Sequence, residues 1–287
     1  MTDTPTHRIL PDSERVRTRF VDESQRVRTR RARRALPSLH LSTDTPRQRS
    51  SSPVILVGMH RSGTSLTARI LQSLGVDMGP DASRANHESR SFLMRNRLLL
   101  TATRAEWDYP RPFLDALGDP GWSRVLALLL EQTIVAPRSW LLGLHEPTST
   151  PTTGDAAWGW KDPRTTLTWP LWLELYPNAR FVRVHRNRSD VISSLTTRSR
   201  ENLRLRADLS IRTLTEHGAD SLCSDYVEAL APLDAMVDGR RIFDIRYEDL
   251  LADPTATVSA LAAWVGSGHA EVASAVAQVR TTHRTGT

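Results

Sequence analysis

The sequence of 287 residues contains one cysteine, Cys223, and one lysine, Lys161. A single cysteine excludes an internal disulfide framework and a zinc site built from cysteines. No apolar run approaches the roughly 18 residues that a membrane span requires, and the polar, arginine-rich stretch 1–36 lacks the apolar segment of a signal peptide. These absences predict a cytoplasmic protein with no membrane span.

The excess of basic charge lies at the start of the chain. Residues 1–52 hold 12 arginines and 6 acidic residues, whereas residues 53–287 hold 26 basic and 26 acidic side chains, so the tail carries the whole net charge of +6. A balanced body argues against a nucleic-acid partner. The sequence therefore predicts a disordered basic tail over 1–52 and one α/β domain over 53–287. The alternative for the tail is a helix over 13–36 that binds a partner or an anionic surface.

Short apolar strands alternate with helical patterns from residue 53 onward. Residues 54–57 form a β-branched run typical of a strand buried on both faces, and apolar residues then recur at helical spacing up to Gly75. Further helices are predicted over about 88–103, 121–135, 162–176, around 191–195, 254–265 and 270–279, and further strands over 156–160, 181–184 and 241–246. This alternation predicts an α/β protein with a three-layer P-loop-type fold, in which helices cover both faces of a central parallel sheet.

A glycine-containing turn follows the first strand, in the segment VILVGMHRSGTS. Gly58 and Gly63 stand five residues apart between a strand and a helix, where backbone N–H groups can surround a phosphate. The spacing is that of a P-loop, but Thr64 occupies the lysine position and the cation is Arg61, inside the turn. A nucleoside-triphosphate enzyme needs the loop lysine and an acidic partner for magnesium. The loop therefore indicates a protein that binds an anionic ester without a metal ion. The alternative is a P-loop kinase that acts on a small molecule.

This loop resembles that of the sulfotransferase superfamily that uses 3'-phosphoadenosine 5'-phosphosulfate (PAPS), in particular its bacterial members with a GMHRSGTS loop. The resemblance covers about residues 53–266. It implies PAPS as donor substrate, no metal, and a loop that binds the 5'-phosphosulfate. The donor-binding residues that it implies in the loop are Gly58, His60, Arg61, Ser62, Gly63, Thr64 and Ser65.

A second segment extends the resemblance to the other end of the nucleotide. The predicted strand 181–185 runs into Arg186, and Ser194 follows eight residues later on a predicted helix. In the superfamily an arginine and a serine at this spacing bind the 3'-phosphate, so the resemblance assigns that role to Arg186 and Ser194. The chemistry is suitable, because a guanidinium matches a phosphate dianion with two parallel hydrogen bonds and a hydroxyl adds another donor.

The only lysine lies in a third segment, GWKDPR, at residues 159–164. Since 37 of the 38 basic residues are arginine, a position that keeps lysine indicates a need for a compact, mobile ammonium. The segment resembles the lysine-bearing strand end of bacterial and Golgi-type sulfotransferases. Lys161 is therefore the predicted catalytic donor to the oxygen that gains negative charge. Asp162 is predicted to cap a helix, and Arg164 stays open between ion pairing and anion binding.

A fourth segment supplies candidates for the general base. Glu88 and Asn96 resemble a family segment in which a glutamate or histidine at the start of a helix removes the proton of the acceptor. The resemblance makes Glu88 the candidate catalytic base and His87 its rival. The alternative for Glu88 is a carboxylate that the helix dipole favours at a helix N-terminus. The late segment RYEDLL, residues 246–251, resembles a late strand and turn of the family and is predicted to be structural.

The predicted function is transfer of a sulfuryl group from PAPS to a hydroxyl or amine by metal-free in-line displacement. The acceptor is an unidentified carbohydrate, lipid or small metabolite. The alternatives are a P-loop small-molecule kinase and a nucleotide-binding protein without catalysis. A third is a nucleic-acid-binding role of the basic tail. Aromatic side chains between residues 107 and 172 either line an acceptor pocket or pack in the core. The sequence sets neither the acceptor nor the oligomeric state.

Overall fold

Parallel strands form the sheet that carries the candidate site. The computed structural model describes residues 51–79, 81–83, 86–135, 157–205 and 214–285. The predictions for residues 1–50 fall outside these ranges. The strands in the described ranges are β1 Val54–Gly58, β2 Gly159–Lys161, β3 Arg180–His185 and β4 Ile242–Arg246. They run in the order β2, β1, β3, β4, and every neighbouring pair is parallel.

Helices occupy the connections between these strands. A 3-10 turn, Gly239–Arg241, precedes β4. The helices in the described ranges are α1 Thr64–Ser73, α2 Arg90–Ala102, α3 Arg111–Gly118, α4 Pro120–Val135, α5 Thr165–Leu175, α6 Arg188–Leu205, α7 Glu216–Leu230, α8 Leu233–Met236, α9 Tyr247–Ala252, α10 Pro254–Val265 and α11 His269–Thr285.

Both faces of the sheet are covered. On one face Leu56 packs in an apolar cluster with side chains of α1, α10 and α11. On the other face Ile55 is in register with Trp160 on β2 and Phe181 on β3. Trp169 of α5 meets Phe181 edge to face, with 6.0 Å between the ring centroids. All of β1 is buried, as expected of a central strand in a parallel sheet. The three-layer α/β prediction is confirmed.

Aromatic side chains fill the layer beside β2. Phe92 of α2 stacks on Trp160, with 3.9 Å between centroids and 6° between ring planes. Trp172 of α5 lies 5.0 Å from the same tryptophan ring. Trp160, Trp169 and Trp172 are fully buried. These tryptophans therefore belong to the core rather than to an acceptor pocket, and they hold α2 against the strand that ends in Lys161.

Helix α2 begins at Arg90, two residues later than the sequence predicts. The carboxylate of Asp81 caps it from outside the helix, since it accepts hydrogen bonds from the Ser91 backbone N–H (2.6 Å) and the Ser89 hydroxyl (2.7 Å). Glu88 consequently lies before the helix, in irregular backbone. The predicted start of α2 is therefore two residues too early, and Glu88 directly precedes the N-cap residue Ser89.

Helix α5 also begins later than predicted, at Thr165 rather than at Asp162. The Asp162 side chain still accepts a hydrogen bond from the Arg164 backbone N–H at 3.3 Å, so it caps the turn that leads into the helix. It also accepts hydrogen bonds from the Arg164 guanidinium and from Asn96. The helical patterns of α3, α7 and α9 are not among the sequence predictions. The last of these helices contains most of the RYEDLL segment, which was expected to be a strand end followed by a turn.

Within the described residues, no helix is both long and apolar enough to cross a membrane.

Candidate active site

The glycine loop joins β1 to α1 at the carboxyl end of the central strand. Gly63 has a φ of 104°, and a Cβ atom built on it would lie 2.3 Å from the Tyr247 ring. Arg61 has a φ of 70°, a left-handed conformation that costs about 1–3 kcal/mol for a residue other than glycine. The backbone N–H and the hydroxyl of Ser62 both donate to Met59 O, at 3.1 and 2.7 Å. The loop is thus held in one tight conformation that directs the Arg61 side chain outward.

A threonine at the start of α5 anchors the first glycine of the loop. The Thr166 hydroxyl accepts a hydrogen bond from Gly58 N (2.8 Å) and donates one to Gly58 O (2.9 Å), and both residues are buried. Gly58 N–H is therefore engaged within the protein. The polar groups that remain for an anion are the Arg61 head group and the N–H groups in the first turn of α1, which have no acceptor within the helix. Thr64 and Ser65 begin that turn.

Replacing Thr166 with valine is expected to lower the free energy of unfolding by about 2 kcal/mol, since it leaves two buried backbone groups of Gly58 without a partner. Thr166→Ser keeps both hydrogen bonds and should lose less than half as much. The measurement is equilibrium denaturant unfolding. Thr196→Val is the matched control, because the Thr196 hydroxyl is buried but bonds only to carbonyls of its own helix. Equal losses for the two valine variants would contradict the anchoring role.

Arg186 and Ser194 lie at the same loop. Arg186 Nη1 donates to Arg61 O at 2.9 Å, and Arg61 Nε donates to Ser194 Oγ at 2.8 Å. The Arg186 guanidinium also lies over the Tyr247 ring, 4.7 Å from its centroid. This convergence follows from the topology, because β1 and β3 are parallel neighbours and their carboxyl ends meet at one edge of the sheet. The residues of the two predicted anion sites are therefore neighbours.

Positive charge is concentrated beside a cavity of about 490 Å³, which is lined by Arg61, Ser194, Thr197, Arg198 and Glu201. Burial lowers the pKa of Arg61, and the charges of Arg198 and Arg186 lower it further. The Nε atom of Arg186 is buried and has no hydrogen-bond partner among the described residues. A bound anion would relieve both the repulsion and the unsatisfied donor.

Lys161 lies beside the loop on the neighbouring strand. Its Nζ donates to Asn86 O at 2.9 Å, Glu88 Oε1 at 3.1 Å and Ser65 Oγ at 3.3 Å. Its side chain is 3% exposed and that of Glu88 is 15% exposed. Burial lowers the pKa of Lys161, and the charge of Glu88 opposes that shift. The only lysine is thus a buried ammonium next to the start of α1.

Glu88 is placed between two cations. Arg164 Nη1 lies 3.8 Å from Glu88 Oε2 and 2.7 Å from Asp162 Oδ1. Burial alone would lower the pKa of Arg164, but the Asp162 and Glu88 carboxylates raise it above its ordinary value. Arg164 therefore forms ion pairs with both carboxylates in this structure.

Two histidines border the cluster. Burial, followed by the charges of Arg69 and Lys161, lowers the pKa of His87, and its φ of 53° is left-handed. The His60 ring packs on Trp107 with 4.4 Å between centroids. Burial, and then nearby cations led by Arg164, lower the pKa of His60 well below its usual value, so the ring is neutral at pH 7. Its Nε2 atom is buried without a hydrogen-bond partner among the described residues.

Sequence analysis missed the contribution of the RYEDLL segment to this site. The Tyr247 ring lies against Gly63 and Arg186, and Glu248 Oε1 accepts a hydrogen bond from Asn187 N at 2.8 Å. The start of α9 therefore supports both the loop and the arginine after β3. No spacing pattern connects these segments, and the likeness of RYEDLL to a family segment is the only signal that marks it.

Among the described residues there is no group of three or more His, Cys, Asp or Glu side chains arranged to hold a metal ion.

The model of the sulfotransferase family matches residues 53–271, and the chain therefore belongs to that family. It is a sulfotransferase enzyme of the PAPS-dependent superfamily. Among curated proteins, none matches the chain significantly.

Solved structures that resemble the chain include bacterial sulfotransferases. Sulfotransferase STF1 from Mycobacterium tuberculosis H37Rv is 18% identical, with a TM-score of 0.51 over 80% of this chain and 71% of that chain. The sulfotransferase domain of the Synechococcus PCC 7002 olefin synthase is 17% identical, with a TM-score of 0.47 over 81% of this chain and 79% of that chain. The likeness to STF1 shows a shared fold.

Proposed function

We propose that the protein transfers a sulfuryl group from PAPS to a hydroxyl or amine of a carbohydrate, lipid or small metabolite, by metal-free in-line displacement. The observation that carries the proposal is the convergence of Arg186 and Ser194 on Arg61. The residues that the family resemblance assigns to the two ends of one nucleotide are joined by hydrogen bonds of 2.9 and 2.8 Å.

The hydrogen-bond donors of the site match the chemistry of PAPS. PAPS carries a phosphosulfate at the 5' position and a phosphate at the 3' position, so its site needs two groups of anion-binding donors. Arg61, Thr64 and Ser65 at the start of α1 supply one group, and Arg186 with Ser194 supplies the other. The buried Nε of Arg186 that lacks a partner is a donor that the 3'-phosphate would satisfy.

The roles of the side chains follow from two changes in the reaction, loss of the acceptor proton and a gain of negative charge on the leaving phosphate oxygen. The acceptor oxygen or nitrogen forms a bond to sulfur while the bond between sulfur and the 5'-phosphate oxygen breaks. The proton of the acceptor passes to Glu88, with His87 as the less favoured recipient. The negative charge left on the phosphate oxygen is stabilised by Lys161 and Arg61. Lys161 donates a hydrogen bond to Ser65 at the start of α1, so its ammonium lies beside the turn to which we assign the phosphosulfate.

Calorimetric titration with 3',5'-bisphosphoadenosine (PAP), compared with ATP and Mg²⁺, tests the proposal. PAP is expected to bind at least about tenfold more tightly, because ATP lacks the 3'-phosphate that Arg186 and Ser194 would hold. Tighter binding of ATP with Mg²⁺, accompanied by ATP turnover, would support the small-molecule kinase instead.

Arg186→Gln is expected to weaken PAP binding by about 10- to 100-fold, the loss typical of a hydrogen-bonded charge pair. The effect on turnover of the bound donor should be smaller. Arg188→Gln is the matched control, since Arg188 lies two residues away and pairs with Asp220 rather than with the loop. If both variants bind PAP equally well, the assignment of Arg186 is wrong.

A further inference from the structure

All three N–H donors of Lys161 are engaged in this structure, with Ser65, Asn86 O and Glu88. An ammonium has three donors and no more. To contact the transferring sulfuryl group, Lys161 must release one of these partners. Glu88 is the partner whose release the reaction requires, because the same carboxylate has to face the acceptor to take its proton.

Release by Lys161 would leave Glu88 as a largely buried carboxylate with one remaining cation, Arg164, on its Oε2 side. A carboxylate that is only 15% exposed is costly without a counter-charge. The Arg164 side chain is also 15% exposed, so both partners of this ion pair are largely shielded from water. It is the described cation, besides Lys161, that forms an ion pair with Glu88.

Arg164 is held in place by a buried polar network. Its guanidinium binds Asp162 Oδ1 at 2.7 Å, and Asp162 is fully buried. Asp162 Oδ2 accepts a hydrogen bond from Asn96 Nδ2 at 2.8 Å. The other hydrogen bonds of the Asn96 amide go to Thr165, Thr168 and Trp172. Because the Asn96 amide is fully hydrogen-bonded and buried, the network gives Asp162 one position.

We propose that Arg164 is a positioning residue that holds the Glu88 carboxylate in place when Lys161 turns from it to the sulfuryl group. Asp162 and Asn96 fix Arg164 for this purpose. The inference rests on the proposed function, since it needs a donor beside Lys161 and a proton for Glu88. The two cations at Glu88 then have different roles, because Lys161 moves to the sulfuryl group while Arg164 stays in place.

A double-mutant cycle tests whether Arg164 acts through Glu88. PAP release from PAPS is measured with 2-naphthol as the probe, because its hydroxyl keeps its proton at neutral pH and so needs a base. Arg164→Gln is expected to lower kcat by about 10- to 100-fold, while the Kd for PAP changes less than about twofold. In the Glu88→Gln background the same change should cost less than about threefold, because the group it positions is gone. Arg164→Lys should restore part of kcat.

The control is Arg183→Gln. Arg183 is 12% exposed and bridges two carboxylates, Asp234 and Asp244, away from the loop, so it matches Arg164 in burial and pairing. It should leave kcat unchanged. If Arg164→Gln lowers kcat by the same factor in the native protein and in Glu88→Gln, the proposal is wrong. A loss of PAP affinity as large as the loss of kcat would also overturn it. If Arg164→Gln folds poorly, Asp162→Asn/Arg164→Gln removes both charges of the pair and should show the same kcat loss.

A second measurement needs no acceptor. Because Lys161 is the only lysine, protein grown with labelled lysine gives one side-chain NMR signal. PAPS is expected to shift this signal in the native protein. In Arg164→Gln the shift should be less than about half as large, because release of Lys161 would leave the Glu88 carboxylate without a counter-charge. Equal shifts in both proteins, or PAP binding without any PAPS-induced shift, would overturn the inference. Failure of the native protein to bind PAP would instead overturn the proposed function.

Discussion

Replacing Lys161 with methionine is expected to lower kcat by about 10²- to 10³-fold, while the Kd for PAP changes less than about threefold. This is the loss typical of removing one donor aimed at an oxygen that gains charge in the transition state. Lys161 contacts Ser65 and Glu88 rather than Arg186, so the 3'-phosphate contacts should survive. The measurements are steady-state kinetics with PAPS and calorimetry with PAP. Near-native turnover of Lys161→Met would refute the catalytic role.

The pH dependence distinguishes charge loss from a packing defect. Burial lowers the pKa of Lys161 below 10.5, so its ammonium loses its proton at a lower pH than free lysine does. The basic limb of the kcat/KM profile, which reports the free enzyme, should therefore fall below pH 10.5 in the native enzyme. In Lys161→Arg the guanidinium stays protonated, and this limb should move to higher pH even where the maximal rate is reduced. If the basic limb of Lys161→Arg lies at the same pH as that of the native enzyme, the group that titrates is not Lys161.

The strand, loop and helix at residues 54–73 could be predicted because their signals are local. A buried β-branched run, two glycines five residues apart and a helical apolar period all lie within about 20 residues. The late start of α2 could not be predicted in the same way. Its cap is Asp81, which precedes the helical pattern in sequence and accepts a hydrogen bond from the Ser91 backbone N–H.

The placement of Lys161 beside the loop depends on strand order. β2 pairs with β1 in parallel, with Lys161 in register with Leu56, although about 100 residues separate the two strands in sequence. Apolar patterns show that a strand exists but not which neighbour it selects. For Lys161, Arg186 and Ser194 the family resemblance supplied that missing information. Thr166 and Tyr247 had no assigned role in the resemblance, and their contacts with the loop appear only in the folded chain.

Gly63→Ala is expected to weaken PAP binding by at least about 100-fold. The new Cβ would meet the Tyr247 ring at 2.3 Å, so either the loop or the ring must move. Movement of the ring displaces the guanidinium of Arg186 that lies over it, and movement of the loop displaces Arg61. Both anion sites are therefore affected by one methyl group. Since misplacement by about 1 Å can cost about 10²-fold, the loss exceeds that expected for Arg186→Gln alone.

Gly75→Ala is the matched control. Gly75 also has a positive φ, 83°, but a Cβ there meets nothing within 4 Å. It carries the backbone cost of about 1–3 kcal/mol without the collision, so it should lower stability and leave PAP binding unchanged. In Gly63→Ala/Tyr247→Ala the collision is removed while the φ cost stays. If Gly63→Ala binds PAP as tightly as Gly75→Ala does, the close contact between the loop and α9 does not shape the donor site.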